Sequence, residues 1–510
     1  MHEIIEWCVI YNYMVYKQKV LEGSNIIMKV TVFADKVQGQ VNKYWIKCVG
    51  SCHAATALRE DWRKQLKKCR EELGFEYVRF HGLLNDDMSV CFRRGDSSLD
   101  YSFFNIDSIF DFLLDIGMKP FIELSFMPRA LASGSKTVFH YGGNITPPKS
   151  YDEWAELIGA LANHLVQRYG TEEVRKWFFE VWNEPNLDIF WTGTKEEYFR
   201  LYQSAALAIK KVDSELKVGG PATAIDAWIP DFKEFCSRNG VPLDFISTHH
   251  YPTDLAFGLS PNIEEQMARA KRGGLKERAK KAIDEAYPLP VYYTEWNNSP
   301  SPRDHYHDIP YNAAFIVKTI IDNMELPLGC YSFWTFSDIF EECGLSSVPF
   351  HGGFGLLNIH GIPKPSYRAF QLLSRLDGNR IEVIADEKSL TVDCIACYDK
   401  ESITILVSNH NVPLSPIKEE AINFTVKGTN GVRSIYLERI DETHANPRRL
   451  WIEMGSPTYL NKEHIHRLME ASELIKEPVI WTEDEDGVSF DIVIQPHSVV
   501  AISLIPNKGC

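Results

Sequence analysis

Strand-length apolar runs alternate with helix-length amphipathic stretches from residue 45 to residue 376, and eight such runs can be picked out. This alternation indicates an α/β architecture, a (β/α)8 or TIM barrel. Beyond residue 376 the pattern changes to short alternating runs separated by polar turns, which indicates a C-terminal antiparallel β-sandwich. The strand-like run 29–34 precedes the barrel and has no βα partner, so it is expected to cross over and pair with the sandwich.

The barrel strands are expected at 45–50, 77–81, 120–126, 177–182, 217–220, 245–251, 291–296 and 331–336. Between them, 61–73, 106–116, 151–169, 196–212, 263–286 and 311–324 place apolar residues three and four apart, the period of a helix that covers a sheet. The run beginning at Pro365 reads as the last barrel helix. Sandwich strands are expected at 380–385, 390–396, 402–409, 421–425, 434–440, 488–494 and 499–504, interrupted by a helix at about 462–475. The expected organisation is a leader or non-native extension over 1–27, a sandwich strand over 28–44, the catalytic barrel over 45–376, and the sandwich over 377–510 with a helical insertion near 443–478.

Residues 1–27 contain an apolar stretch too short for a membrane span and without the basic start of a secretion signal. Strand pattern begins at Met28, which is therefore the expected natural start. The 510 residues call for two or three domains, and 45% hydrophobic with 24% charged residues describes a globular chain. A net charge of −15 with no basic run argues against nucleic acid and against an anionic membrane surface as partners. The 11 cysteines are scattered, and the one CxxC, Cys394 to Cys397, lies in a strand-like run without a second pair. No disulfide framework is implied, which suits a reducing, cytoplasmic setting.

Two carboxylates carry the chemistry. Glu184 follows Phe179-Glu180-Val181-Trp182-Asn183, and Glu295 follows Tyr292-Tyr293-Thr294, so each ends an apolar strand run beside Trp and Asn. The first ends the fourth barrel strand and the second ends the seventh, at the end of the barrel where active sites are built. Strands on opposite sides of a narrow cylinder can bring the two carboxyls face to face. Such a pair can cleave a glycosidic bond: one protonates the leaving oxygen and the other meets the positive charge that grows on the sugar. Arg79 and His81 share parity on the second strand, so both can point inward. His249 and His250 are adjacent and must point to opposite faces, which makes them a poor zinc pair.

Trp182-Asn183-Glu184-Pro185-Asn186 and Thr294-Glu295-Trp296-Asn297 resemble the acid/base and nucleophile motifs of retaining glycoside hydrolases built on (β/α)8 barrels. Within that clan the chain is most similar to glycoside hydrolase family 39 and its β-xylosidases. The likeness continues through Val78-Arg79-Phe80-His81-Gly82, Ser247-Thr248-His249-His250-Tyr251-Pro252 and Ser332-Phe333-Trp334-Thr335-Phe336. The Asn-Glu-Pro motif alone is shared widely, whereas the ordered set is specific.

The resemblance implies that Glu184 is the general acid and then the general base, and that Glu295 is the nucleophile. Glu184 must hold a proton near neutrality, and Glu295 must stay ionised and needs donors. Arg79 is the first candidate donor, with Tyr293 or Tyr251 adding a hydroxyl. By the same resemblance Asn183 binds the sugar 2-hydroxyl, His81, His249 and Tyr251 line the sugar pocket, Trp334 forms its floor, Glu341 and Glu342 bind hydroxyls, and Phe190 stands near the mouth. Glu123, a carboxylate in an apolar third strand, reads as a structural or supporting group. No metal and no organic cofactor is implied. The expected activity is a retaining exo-β-xylosidase acting on xylo-oligosaccharides from the non-reducing end, with the long loop 338–355 closing the pocket. Another glycosidase of the family, an α-L-iduronidase or an arabinosidase, is the alternative, and a non-catalytic carbohydrate-binding protein is the alternative of a different class. A homo-oligomer, a tetramer by family resemblance, is the expected assembly.

Overall fold

The computed structural model describes residues 28–507 apart from 257–258, 387–388, 400 and 430; the leader expected over 1–27 lies outside the described residues. Eight parallel strands close into a barrel: Cys48–His53, Tyr77–His81, Lys119–Leu124, Phe178–Val181, Lys217–Thr223, Phe245–His249, Val291–Trp296 and Leu328–Phe333. The ring closes where Phe333 of the eighth strand pairs with Val49 of the first. Two strand positions move relative to expectation. Tyr44–Ile46 is a short 3-10 helix, and the aromatic pair Tyr44 and Trp45 is buried as core rather than as strand. The eighth strand begins and ends three residues earlier than its apolar run suggests.

Local chemistry sets the helix ends. Ser150 caps Tyr151–Tyr169 by accepting from the Glu153 N–H, and Thr194 with Glu197 forms a capping box on Lys195–Val212. The stretch expected as one helix over 263–286 is two, Ile263–Ala268 and Gly274–Ala286, because Gly273 takes φ +77 between them. The insertion is likewise a pair, Pro447–Glu453 and Lys462–Ala471. Among the described residues, no helix is long and apolar enough to cross a membrane.

Inside the barrel, every second residue of a strand points to the axis. The layer at the N-terminal end is aromatic: Tyr77, Phe121, Phe178 and Phe245 pack together with Tyr292, and Phe121 stacks on Phe178 at 5.0 Å. Two residues further along three of those strands stand Arg79, Glu123 and Glu180, all fully buried. One more step brings His81 and, on the sixth strand, His249. The barrel thus has an apolar plug below and ionisable groups stacked above it, toward the C-terminal ends of the strands.

The C-terminal region is a ten-stranded curled sheet of sandwich type, with its own core of Val407, Ile405, Ile422, Phe424, Ile492 and Ile502. The N-terminal strand Met28–Gln40 enters this sheet between Asn379–Ala385, to which it is antiparallel, and Glu420–Lys427, to which it is parallel. Val30 and Val32 face that core. The sheet is tied to the barrel by Arg272, which donates to the carbonyls of His410 and Thr391, and by the Ser408 hydroxyl, which donates to the Ala314 carbonyl.

Candidate active site

The strand ends place the two carboxylates. Val181 ends the fourth barrel strand, and the chain then turns through Trp182 and Glu184, both at positive φ (+72 and +42). This conformation is costly for residues with a Cβ, and such strain gathers at functional sites. Four bonds hold the turn: the Trp182 indole donates to the Phe190 carbonyl, the Glu184 N–H donates to the Ala222 carbonyl, and Asn186 both accepts from the Ala224 N–H and donates to the Ala224 carbonyl. Glu295 lies within the last strand turn before Trp296.

Arg79 is the hub beneath them. Its Nη1 donates to Glu295 Oε1 at 2.8 Å, its Nε to Glu180 Oε2 at 2.5 Å and its Nη2 to Asn183 Oδ1 at 2.9 Å, with Glu123 Oε2 2.8 Å from the same Nη2. Burial works against the guanidinium charge, but Glu180, Glu123 and Glu295 outweigh it and hold Arg79 well above its ordinary value. The second oxygen of Glu295 accepts from the Tyr251 hydroxyl at 3.0 Å. Glu295 therefore has a donor on each oxygen, as a carboxylate that must stay charged requires.

Glu184 is treated differently. Burial and then the charges of Glu295 and Asp254 push it well above the usual carboxylate range. Its Oε1 lies 2.9 Å from His249 Nδ1. Burial, with the nearby cation Arg79, depresses His249 well below an ordinary imidazole. One oxygen of Glu184, His249 Nδ1 and one oxygen of Glu295 all lie within 4.8 Å of each other. Three donors this close could in principle enclose a cation. Here the Arg79 guanidinium already sits on Glu295, and both His249 nitrogens are engaged, Nδ1 by Glu184 and Nε2 by Thr294, so the residues do not suit a metal ion.

The pocket wall is built around His81. Burial lowers its pKa, but Glu123, bonded to Nδ1 at 2.6 Å, more than reverses this and raises it. Its Nε2 lies 3.7 Å from both Glu295 and Glu342. Burial, with help from Glu295 and Glu123 and against His81, pushes Glu342 up to about 8. The Trp334 ring follows the eighth strand and lies 4.8 Å from His81, and Phe190 stands 6.3 Å from the same imidazole. Gly50 makes room for that indole, since a Cβ there would collide with Trp334 Cε3. The loop that carries Glu341 and Glu342 is anchored by fully buried Lys364, 2.6 Å from both Asp308 and Asp338 and bonded to the Gly353 carbonyl at 2.9 Å.

Side-chain exposure separates what a ligand can reach from what supports it. Glu184, Glu295 and Glu342 are 11%, 7% and 12% exposed, whereas Arg79, Glu123 and Glu180 are at 0%. Ten of the sequence-derived residues come together here: Glu184, Glu295, Asn183, His81, His249, Tyr251, Trp334, Glu342, Phe190 and Arg79. Two do not join them. The Tyr293 ring stacks on His250 at 3.9 Å beside Asp226, so the hydroxyl on Glu295 is that of Tyr251. The Glu341 carboxylate is taken by Arg59 at 3.0 Å. Glu123 supports His81, Arg79 and Ser125 from below. Sequence reasoning gave no role to Glu180 or Thr294, which join Arg79 to His249. Parity would have found Glu180, two residues after the plug residue Phe178, as Arg79 is two after Tyr77.

The family model for glycosyl hydrolases family 39 matches residues 28–487. A β-xylosidase of Caldicellulosiruptor saccharolyticus is 71% identical over 480 residues, covering 94% of this chain and 98% of that protein. A β-xylosidase of Geobacillus stearothermophilus is 36% identical over 494 residues, covering 94% and 95%. Among solved structures, a monomeric β-xylosidase from Caulobacter crescentus CB15 superposes with a TM-score of 0.80 at 33% identity, covering 94% of this chain and all of that one. With a matching model over most of its length and full-length relatives at this identity, the chain belongs to glycosyl hydrolases family 39.

Proposed function

We propose that the protein is a retaining exo-acting β-xylosidase that removes xylose from the non-reducing end of β-1,4-linked xylo-oligosaccharides by double displacement. The approach of Glu184 and Glu295 carries the reading: their facing oxygens lie within 4.8 Å. Retaining enzymes hold their carboxyls about 5–5.5 Å apart, and inverting enzymes need about 6.5–9.5 Å to admit a water. Glu295 attacks the anomeric carbon, and Glu184 gives its proton to the departing oxygen. Water then attacks the glycosyl-enzyme, Glu184 takes its proton, and the Glu295 carboxylate is released. Asn183, whose Oδ1 is held by Arg79, presents its amide toward the sugar 2-hydroxyl; His81, Glu342 and Trp334 line the remainder of the pocket.

The named activities of the two full-length relatives support xylose as the substrate sugar. A pocket whose reactive carboxyls are so little exposed favours a chain end over the middle of a polymer. A uronic acid, the substrate class of the iduronidase alternative, needs a cation for its carboxylate, and the Arg79 guanidinium is already engaged by Glu295, Glu180 and Glu123. A panel of nitrophenyl glycosides, with the anomer of the first-formed product read by NMR, tests the reading. β-Xylose formed first from the β-xyloside is the expected result, and α-xylose refutes retention. The nine described cysteines are free thiols, which supports a cytoplasmic location. Exposed Ile452, Tyr459 and Ile475 around the helical insertion support self-association; the tetramer is expected from family resemblance alone, and light scattering checks it.

A further inference from the structure

Five residues form a buried chain across the barrel. Arg79 Nε donates to Glu180 Oε2 at 2.5 Å. Glu180 Oε1 accepts from the Thr294 hydroxyl at 2.7 Å, His249 Nε2 lies 3.0 Å from that same hydroxyl oxygen, and His249 Nδ1 lies 2.9 Å from Glu184 Oε1. Glu180, Thr294 and His249 are fully buried, so their polar atoms must find partners among these residues.

Donor counting then fixes the protons. Burial raises Glu180, but Arg79, which can only donate, lies 2.5 Å from its Oε2, and the Thr294 hydroxyl donates to its Oε1; both contacts select the ionised form. An ionised carboxylate can only accept, so the one Thr294 hydrogen points to Glu180. The Thr294 oxygen is left as an acceptor, and His249 Nε2 must carry the imidazole proton. A neutral imidazole has one N–H, so Nδ1 is a bare lone pair. The group that faces Nδ1 has to bring the hydrogen, and that group is Glu184. We propose that Thr294 and Glu180 are positioning residues that lock His249 in its Nε2–H form and so keep the proton on Glu184. This rests on the proposed roles of the two carboxylates. It works in both half-reactions: the lone pair favours protonated Glu184 before the first displacement, and opposes its anion, making it a stronger base, in the second. Neither residue touches substrate: Thr294 acts through the imidazole, and Glu180 acts through Thr294 while also holding Arg79, so Thr294 is the residue to vary.

The groups that face Glu184 are Glu295 from the seventh strand, His249 from the sixth with Tyr251 and Asp254 beyond it, Arg79 from the second, and Glu342 from the loop. Those that face His249 are Glu184, 2.9 Å from Nδ1, Glu295, 3.8 Å from Nδ1 and beyond hydrogen-bond distance, Thr294 at Nε2, and Arg79, His81 and His250. Among the described residues no side chain other than His249 hydrogen-bonds the Glu184 carboxyl, so the tautomer is the adjustable element.

The test is the pH profile of kcat/KM for Thr294→Val, which keeps the shape and removes the hydroxyl. Without its acceptor, Nε2–H loses its advantage, the Nδ1–H form donates to the Glu184 anion, and the alkaline limb moves to lower pH by about one pH unit. Thr294→Ser returns the limb to its wild-type position. Losses are larger on xylobiose than on a nitrophenyl xyloside, because the former needs the acid. An unmoved limb overturns the proposal, and so does a limb that moves up, which is the sign expected if Glu180 carried the proton and the chain ran in reverse. If Thr294→Val does not fold, nitrogen-15 NMR of histidine-labelled wild-type enzyme decides, with His249 assigned from its Gln variant: Nε2–H supports the proposal and Nδ1–H overturns it. Full activity in Glu184→Ala would instead refute the role of Glu184 itself, and the two failures are thereby told apart.

Discussion

Arg79 Nη1 holds Glu295 Oε1 at 2.8 Å, and the same guanidinium touches Glu180, Glu123 and Asn183. One fully buried cation therefore sets the position of the proposed nucleophile, the amide beside the acid, and the chain that leads to His249.

Arg79→Met leaves three buried carboxylates without their guanidinium, with only His81 beside Glu123 and Glu295. Removing one partner of a buried charge group costs about 3–5 kcal/mol. A marked fall in the thermal midpoint, together with loss of turnover, is expected. Arg79→Lys keeps a charge but cannot reach every oxygen at once, so it recovers stability more than activity. A midpoint near wild type for Arg79→Met would show that Arg79 is not the hub.

Glu295→Gln should lose more than ~10³-fold in kcat with an unchanged circular dichroism spectrum. Glu184→Ala should lose about 10²–10⁴-fold on xylobiose and far less on aryl xylosides with good leaving groups, with azide restoring rate. Equal losses on both substrates, without azide rescue, would take the acid/base role from Glu184.

Glu342 carries a sign that can be worked out. It is pushed up to about 8, so at pH 7 it is protonated and can donate to a sugar hydroxyl. As pH rises through 8 it becomes an anion beside Glu295, and KM should climb. Its folded value lies above the ordinary carboxylate value of about 4.3, so the folded state keeps a proton that the unfolded chain releases. Its contribution to stability therefore falls as pH rises from that ordinary value through 8. Glu342→Gln should flatten the KM profile over the same range; a profile that still climbs assigns the effect elsewhere.

Gly50→Ala drives a methyl into the Trp334 indole. The expected cost is about 1–3 kcal/mol, and the ring moves from its place beside His81. KM should rise more than kcat falls, because the ring binds sugar and moves no proton. Unchanged binding would leave Trp334 as core only.

Lys364→Met strands Asp308 and Asp338 in the interior. A loss of about 3–5 kcal/mol is expected, with faster proteolysis within 338–355, the loop they anchor. Intact loop resistance in a destabilised variant would confine Lys364 to global stability.

The barrel was legible because its period is repeated eight times, and the strand at 291–296 is found where its apolar run lies. The shifts have physical causes. Trp45 is apolar for the sake of packing outside the strand, and Gly273 breaks a helix whose amphipathic pattern runs on across it. The carboxylate pair was legible because each lies at a strand end beside Trp and Asn. Tyr293 and Tyr251 could not be told apart as partners of Glu295 without knowing where each strand stops twisting: the sixth ends at His249 and frees Tyr251 to reach across. Glu341 and Glu342 are neighbours of the same type, and only the position of Arg59, far away in the chain, separates them. Thr294 carried no signal of its own, since a threonine in a strand is ordinary.

The strand Met28–Gln40 lies between Asn379–Ala385 and Glu420–Lys427. During synthesis it leaves the ribosome long before either neighbour exists. At ~5–20 residues per second the wait is on the order of half a minute. Throughout that time a valine-bearing ribbon has both backbone edges unpaired, while the whole barrel can assemble behind it. Nascent chains should therefore be most prone to sticking together after the barrel is made and before residue 427 emerges, and a chaperone that shields Met28–Gln40 would be the helper this topology calls for.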